Sequence, residues 1–471
     1  MSDTAKPLPQ SQAKFTQGSL FRHISVMSLT SSVGLMAVFL VDFVDMIFIS
    51  MLGKAELAAA VGYAGAVLFF TTSFGIGMAI AAGALVARAL GASAAEEARR
   101  RATNALIYGV VFGALFAAAV WFNLSFFVGL LGATGETHDL AVHYLQIIVP
   151  SLPFLMVGMI GGAILRAHGD ARRAMMATIW GGLVNAVLDP ILIFGLDLEL
   201  TGAALASVAA RLAIAVTALI PLIRSYGGFD RPTASSLTID LRPIVAIAFP
   251  AILTQLATPI GQAYVTRAMA EYGEEAVAGM AIVARMTPVG FGIIFALSGA
   301  IGPIIGQNAG AGLNDRVRRA FREGLLFTAI VVVVVSTLFF LARPGIAYLF
   351  QLEEGVALTI VFLFAGPLSL MFFFNGVIFV ANAAFNNLRH PFYSTVVNWG
   401  RHTLGTIPFV IVFGGWFGAP GVLIGQYVGG AVFAVIAILL ARRVIAAQDG
   451  MSEPEPFARQ ARLFSLLHHR R

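Results

Sequence analysis

The sequence predicts an all-α polytopic membrane protein. Its twelve transmembrane helices form two six-helix lobes related by a parallel pseudo-two-fold repeat. Three observations lead there. The 471 residues are 58% hydrophobic and 11% charged, with a mean hydropathy of +0.86, whereas soluble globular chains carry about 25% charged residues. Basic and acidic loops alternate along the chain. One half of the chain also recurs in the other at a constant offset.

A spanning helix needs about 20 mostly apolar residues. Such runs cover 22–50, 57–88, 103–131, 140–165, 174–196, 202–224, 242–270, 276–307, 321–350, 356–385, 392–414 and 419–441. The longer ones imply tilt or extension past the hydrocarbon. One set of connecting loops is basic: Lys14 and Arg22, Arg99–Arg101, Arg166 with Arg172 and Arg173, Arg224 with Arg231 and Arg242, Arg316–Arg322, Arg389, and Arg442 with Arg443. The other set carries Glu136 and Asp139, Asp197 and Glu199, Glu271 with Glu274 and Glu275, and Glu353 with Glu354; Lys54 and Arg343 are its few basic residues. The alternation places both termini in the cytoplasm and requires an even helix count.

The repeat is ungapped from Ala55–Leu106 onto Glu274–Leu325. Arg88 pairs with Gln307, Gly91 with Gly310 and Arg100 with Arg319, all 219 residues apart. An even number of helices per copy makes the copies parallel, related by an axis along the membrane normal. The expected organisation is a cytoplasmic tail over 1–19, a first lobe over 20–224, a cytoplasmic linker over 225–241, a second lobe over 242–446 and a cytoplasmic tail over 447–471. The linker is placed on its Gly, Pro, Ser and Thr content.

Composition excludes several classes. With no cysteine there is neither a disulfide nor a thiolate metal site. The net charge of +6 belongs to positive-inside loops rather than to a nucleic-acid surface. The first 20 residues lack the apolar core of a signal peptide. No P-loop or soluble domain is present, so neither ATP-driven transport nor an enzyme is indicated. The 49 glycines suit closely packed transmembrane helices.

The chemistry concentrates in a few acids. Asp42 and Asp45 lie inside the apolar run VDFVDMIFISMLG (41–53), and Asp189 inside NAVLDP (185–190). A charged carboxylate at the bilayer centre costs about 3 kcal/mol or more, and such residues mark ion or proton paths. Asn185 and Asp189, four apart, share a helical face, as do Asp42 and Asp45, three apart. If helices one and five are neighbours, Asp45, Asn185 and Asp189 converge. Carboxylate and amide oxygens suit a hard cation such as Na⁺; the same carboxylates, close together in an apolar interior, suit a proton. A structural alternative pairs the acids with Arg211 or Arg285, which also fall in apolar runs. Pro190 removes a backbone donor beside Asp189. The second lobe has no interior acid, so cation coupling is expected in the first.

Other polar residues are secondary candidates. Arg285 is placed as a counter-ion or a substrate contact. Asn375 and Asn382, seven apart on one face, are candidates for lining an aqueous cleft. Arg401 and His402 are expected to snorkel to the interface. Phe291, Phe295 and Phe372–Phe374 are weighed as a lining for apolar or aromatic cations, against lipid-facing packing.

Taken together, VDFVDMIFISMLG with LAAAVG (41–62), LVARALGA (85–92), ILRAHGDARRAM (164–175), NAVLDPILIFG (185–195), TGAALAS (201–207), FPAILTQL (249–256) and PIIGQNAGAG (303–312) resemble the multidrug and toxic compound extrusion (MATE) family over about residues 20–445. The lack of second-lobe acids is similar to its DinF-like branch. The resemblance implies a secondary active efflux antiporter of the inner membrane. Inward H⁺ or Na⁺ movement would drive export of hydrophobic or cationic compounds by alternating access, with no cofactor, no nucleic acid and a monomer as the expected unit. It implies a first-lobe cation site at Asp45, Asn185, Asp189 and Ser207, where Ser207 stands for the family's threonine. Those four would hold Na⁺ if Na⁺ is the coupling ion. One departure is that Met27–Gly34 has no proline to bend helix one. The alternative within the superfamily is a lipid-linked oligosaccharide flippase, which the scarcity of interior Lys and Arg disfavours.

Overall fold

The computed structural model describes residues 13–448, and all regular structure among them is helical. Most of the expected N-terminal tail and nearly all of the C-terminal one lie outside the described residues. The first half runs α1 (Leu20–Met51), α2 (Ala55–Gly91), α3 (Ala95–Trp121), a short α4 (Leu124–Leu130), α5 (Gly135–Ile148), α6 (Leu152–Ala167), α7 (Ala171–Pro190) and α8 (Glu199–Ser225). A tight turn at Val149–Ser151 joins α5 to α6 into one crossing, and a wide π-turn, Ile191–Gly195, ends α7. The second half runs α9 (Ala234–Ala270), α10 (Glu274–Gly310), α11 (Asn314–Leu349), α12 (Val356–Leu363), α13 (Ser369–Asn387), α14 (Phe392–His402), α15 (Ile407–Phe417) and α16 (Ala419–Ala447). The π-turn Phe364–Leu368 joins α12 to α13.

Among the described residues, eleven crossings are long and apolar enough to span a bilayer as continuous helical segments. The twelfth is α14 with α15, eleven residues each, broken at Thr403–Thr406. Spanning segments must satisfy their backbone internally, because hydrocarbon offers no partner. Side chains such as Leu115, Phe126, Leu341 and Leu439 point outward and are more than half exposed, as lipid-facing residues are.

The local chemistry sets several ends. Ser19 caps α1 by accepting from the Arg22 N–H, and Asp170 caps α7 by accepting from the Arg173 N–H at 3.1 Å. Thr233 and Ser236 form a reciprocal capping box that starts α9 at Ala234. The expected linker is therefore helical from Ala234 onward. Asp240, within that stretch, is 1% exposed and held by Arg100 at 3.1 Å and by Asn104 at 2.7 Å.

The repeat is visible in the helix bounds. α2 and α10 are both 37 residues long and begin and end 219 residues apart; α3 and α11 begin, and α1 and α9 end, at the same spacing. α2 and α10 cross where both lack side chains. A Cβ on Gly91 would overlap the Gln307 backbone, and one on Gly310 would overlap the Arg88 backbone. These are the positions the repeat equates, so the contact is self-complementary about a two-fold axis. The crossing lies at the end of the molecule that carries the arginine-rich loops, hereafter the basic end.

Each half has its own apolar core, and α1 and α9 exchange across the basic end. Leu20, Ile24 and Met27 pack into the second core, and Ile244, Ile247 and Ala248 into the first. A single helical turn, Lys14–Thr16, seals the seam. The Phe15 N–H donates to Gln307 Oε1 at 2.8 Å, and the Phe15 carbonyl accepts from Asn308 and Arg316. Gln307 also donates to the Ala167 carbonyl at 2.8 Å, bridging both halves.

Candidate functional site: a carboxylate pair in the first lobe

α1 and α7 lie side by side because two glycines permit it. A Cβ on Gly34 would meet the Met175 backbone at 3.3 Å, and one on Gly182 would meet the Val41 side chain at 3.0 Å. One turn beyond Val41 on the same face is Asp45; one and two turns beyond Gly182 are Asn185 and Asp189. The close approach at Gly182 thus brings the two acids together, and their carboxylates lie within hydrogen-bonding range of each other.

Asp189 is fully buried. Its Oδ2 accepts from Asn185 Nδ2 at 2.7 Å, while its Oδ1 and Asp45 Oδ1 are buried without a partner among the described residues. Two adjacent carboxylates in apolar surroundings are costly while both are charged and unpartnered, and a proton or a cation between them would relieve that cost. Ser207 reaches the pair through a residue that the sequence did not single out. It lies beside Tyr144 of α5, which is 7% exposed and within electrostatic reach of both acids. The only sequence signal for Tyr144 was a phenol inside an apolar run.

Neither arginine weighed as a counter-ion serves the pair. Arg211 donates to the Ile148 carbonyl at 3.2 Å and to Ser151 Oγ at 2.9 Å, bracing the turn between α5 and α6. Arg285 is exposed, on the α10 stripe that further along meets Met36 and Ala87 of the first lobe. Asp42 is exposed, one turn from Asp45. The π-turn after Pro190 widens the backbone immediately beside the acids, a local irregularity common at functional sites.

In the second lobe the polar side chains are drawn into bonds with α14. Asn375 Oδ1 accepts from Arg401 at 2.7 Å, and Asn382 Oδ1 accepts from Asn398 at 3.2 Å. Their shared face is thus turned toward α14. Arg401 does not snorkel. It lies nine residues into α14, about 14 Å along the helix from Phe392, so the guanidinium cannot reach that end of the membrane. His402 is 5% exposed and packs against Gly261. Phe291 and Phe372 stack at 4.0 Å, both buried in the second core, so they line no cavity.

The profile of the MatE family matches residues 31–191 and 250–412. The chain belongs to the MatE family. It is a membrane transporter and not an enzyme. The two matched stretches fall in the two halves related by the repeat. A FAD transporter of Shewanella oneidensis is 27% identical over 434 residues, covering 89% of this chain and 93% of its own length. The multidrug export protein MepA of Staphylococcus haemolyticus is 23% identical over 428 residues, covering 90% and 94%. A solved structure, described as the outward-facing conformation of a multidrug resistance MATE family transporter, superposes with a TM-score of 0.86 at 24% identity. That superposition covers 95% of this chain and all of the other.

Proposed function

We propose that the protein is a cation-coupled antiporter of the cytoplasmic membrane, with its basic end and both termini in the cytoplasm. It exports small solutes by alternating exposure of the cleft between its lobes. The observation that carries this reading is the Asp45–Asp189 pair: two neighbouring carboxylates, Asp189 buried and Asp45 half-buried, each with a buried oxygen that has no partner and neither with a counter-ion among the described residues. Inward-moving H⁺ or Na⁺ supplies the missing positive charge. Asn185 and Ser207 are neutral ligands or relays, with Tyr144 close to Ser207 and to the pair. A carrier is driven only if the ion binds its two states unequally, and this pair changes its electrostatics with every binding event. Likeness to MepA supports hydrophobic or cationic solutes as substrates. Likeness to a FAD transporter supports a second reading, an aromatic anion.

The test is dye efflux from proteoliposomes under an imposed pH gradient and, separately, an imposed Na⁺ gradient. Efflux that follows one gradient and disappears in Asp45→Asn supports the reading and names the ion. Undiminished gradient-driven efflux in Asp45→Asn refutes it.

A further inference from the structure

We propose that the second lobe holds an anion subsite built on Arg401, which takes the phosphate of a transported aromatic solute. The inference rests on the transporter reading and assigns a substrate chemistry to the lobe that has no interior acid.

The repeat locates the subsite. Its offset continues through the last crossings: Trp180-Gly181 matches Trp399-Gly400, and Phe194-Gly195 matches Phe413-Gly414. Gly202 matches Gly421, and each presses on the backbone of the preceding crossing, at Leu192–Ile193 and at Phe413–Gly414. The broken crossing α14–α15 is therefore the counterpart of α7, the helix that carries Asn185 and Asp189. Arg401 stands where the first lobe has Gly182. One frame thus carries carboxylates on one side of the axis and a guanidinium on the other.

The break makes the position special. α7 runs on to Pro190, whereas its counterpart stops at His402 and resumes at Ile407. Interrupted helices near the bilayer midplane are where transporters place their ligands. Arg401 is the last residue but one of the first half-helix, and Asn375 lies about 18 Å along α13 from Asn387, so both are near the middle of the membrane. Arg401, Asn375 and Asn382 each keep some exposure, so the cluster is not sealed inside the lobe.

The hydrogen bonds leave room for an anion. A guanidinium has five donors and stays charged. Arg401 uses one on Asn375 Oδ1 at 2.7 Å and has another 3.1 Å from His402 Nε2, both on neutral groups. No carboxylate among the described residues pairs with it; Glu271, Glu274, Glu275, Glu353 and Glu354 lie at the acidic end, and Asp315 and Glu323 lie at the basic end, paired with Arg318 and Arg319. An unpaired cation held in apolar surroundings is costly, and a planar guanidinium matches a phosphate through two parallel bonds. The Gln262–Gln426 pair at 2.9 Å adds neutral polar groups on α9 and α16, next to the His402 contact. The depth of Arg401 favours a solute phosphate over a lipid headgroup, which resides at the interface.

The probe is a pair of flavins differing by one phosphate, flavin mononucleotide and riboflavin. Each is titrated by fluorescence quenching against the full-length protein in phosphatidylcholine nanodiscs. The wild type is expected to bind the mononucleotide about ten-fold tighter or more, the range for a hydrogen-bonded charge pair. Arg401→Gln should lose that preference while its riboflavin affinity stays the same, and Arg401→Lys should recover part of it. If Arg401→Gln does not fold, the wild-type ratio and Arg401→Lys decide. Equal affinities in the wild type, no binding of the mononucleotide, or a preference retained in Arg401→Gln overturns the proposal. So does a preference abolished by including phosphatidylglycerol in the nanodisc, which assigns the site to a lipid headgroup. The two readings fail separately: gradient-driven dye efflux tests the carboxylate pair, and flavin discrimination at equilibrium tests Arg401.

Discussion

Adding one methyl group at Gly91 should open the basic end of the molecule. A Cβ there would stand 2.7 Å from both the Gln307 carbonyl carbon and its Cα, and closer still to the carbonyl oxygen. Ordinary contact begins near 3.4 Å, so α2 and α10 must separate by at least about 0.7 Å. The obstacle is backbone and cannot rotate away. Overpacking of this kind costs about 1–3 kcal/mol, which shifts a two-state equilibrium roughly 5- to 150-fold. The cost falls only on the state in which the crossing is closed, so Gly91→Ala should favour the state open at the basic end. The repeat adds a control: Gly310→Ala meets the Arg88 backbone in the same way and should act in the same direction. The chain has no cysteine, so spin labels can be placed without background at Ala92 and Leu313, both exposed just past the crossing. Double electron–electron resonance should show a longer-distance population growing in either variant. An unchanged distance distribution in folded Gly91→Ala protein, or opposite shifts from the two glycines, would refute the argument.

Three further outcomes follow. Asp189→Asn should abolish gradient-driven efflux as Asp45→Asn does, while Ser207→Ala, one hydroxyl away through Tyr144, should only slow it; both are read in the same proteoliposome assay. Gln307→Ala leaves the Phe15 N–H and the Ala167 carbonyl without their partner, at about 1–3 kcal/mol for each group stranded in the interior, and should lower the melting temperature and speed proteolysis near Lys14. His168, in the turn after α6, is buried and stacked on Tyr226 at 4.3 Å; burial, with Lys14 adding to it and Asp170 opposing, pushes its pKa down to about 4. The unfolded chain takes up that proton near pH 6.5. Between those values the unfolded state binds more protons, so stability is full above about pH 6.5 and falls as pH falls toward 4, by about 2 kcal/mol at pH 5. Melting at pH 8 and pH 5 should show this loss in the wild type and less of it in His168→Gln.

What the sequence disclosed follows from how physical constraints act along a chain. The spans were legible because hydrocarbon demands long apolar runs, and the lobes because α2 and α10 are near copies. The carboxylate pair was legible because three acids in apolar runs are few enough to stand out, and a helical face is fixed by spacing alone. Three features were hidden. The start of α9 lies in a polar stretch whose helical character comes from a Thr233–Ser236 cap, not from hydrophobicity. Tyr144 matters through what it touches, and a single tyrosine in an apolar helix otherwise reads as packing. The break at Thr403–Thr406 falls in a run apolar enough to pass for one helix, with Gly405 and Pro408 its faint signals. That hidden break, together with proximity to the loop at Arg389, made Arg401 look like an interfacial residue when it is a midplane one.

The separation of the two charged centres has a consequence that mutation can reach. The neighbours of Asp45 and Asp189 are Asn185 on α7 and Tyr144 on α5, and the partners of Arg401 lie on α13 and α14; among the described residues no side chain bonds to both. Sites without shared partners should contribute independently within a given conformation. At equilibrium, flavin mononucleotide affinity in Asp45→Asn/Arg401→Gln should therefore equal the product of the two single effects. Transport should behave otherwise, because there both ligands act on one lobe rearrangement and each can only bias it by its differential affinity. Additive binding with non-additive flux would place the coupling in the motion at the Gly91–Gly310 crossing. Strong non-additivity in equilibrium binding would show instead that the two centres communicate directly across the cleft.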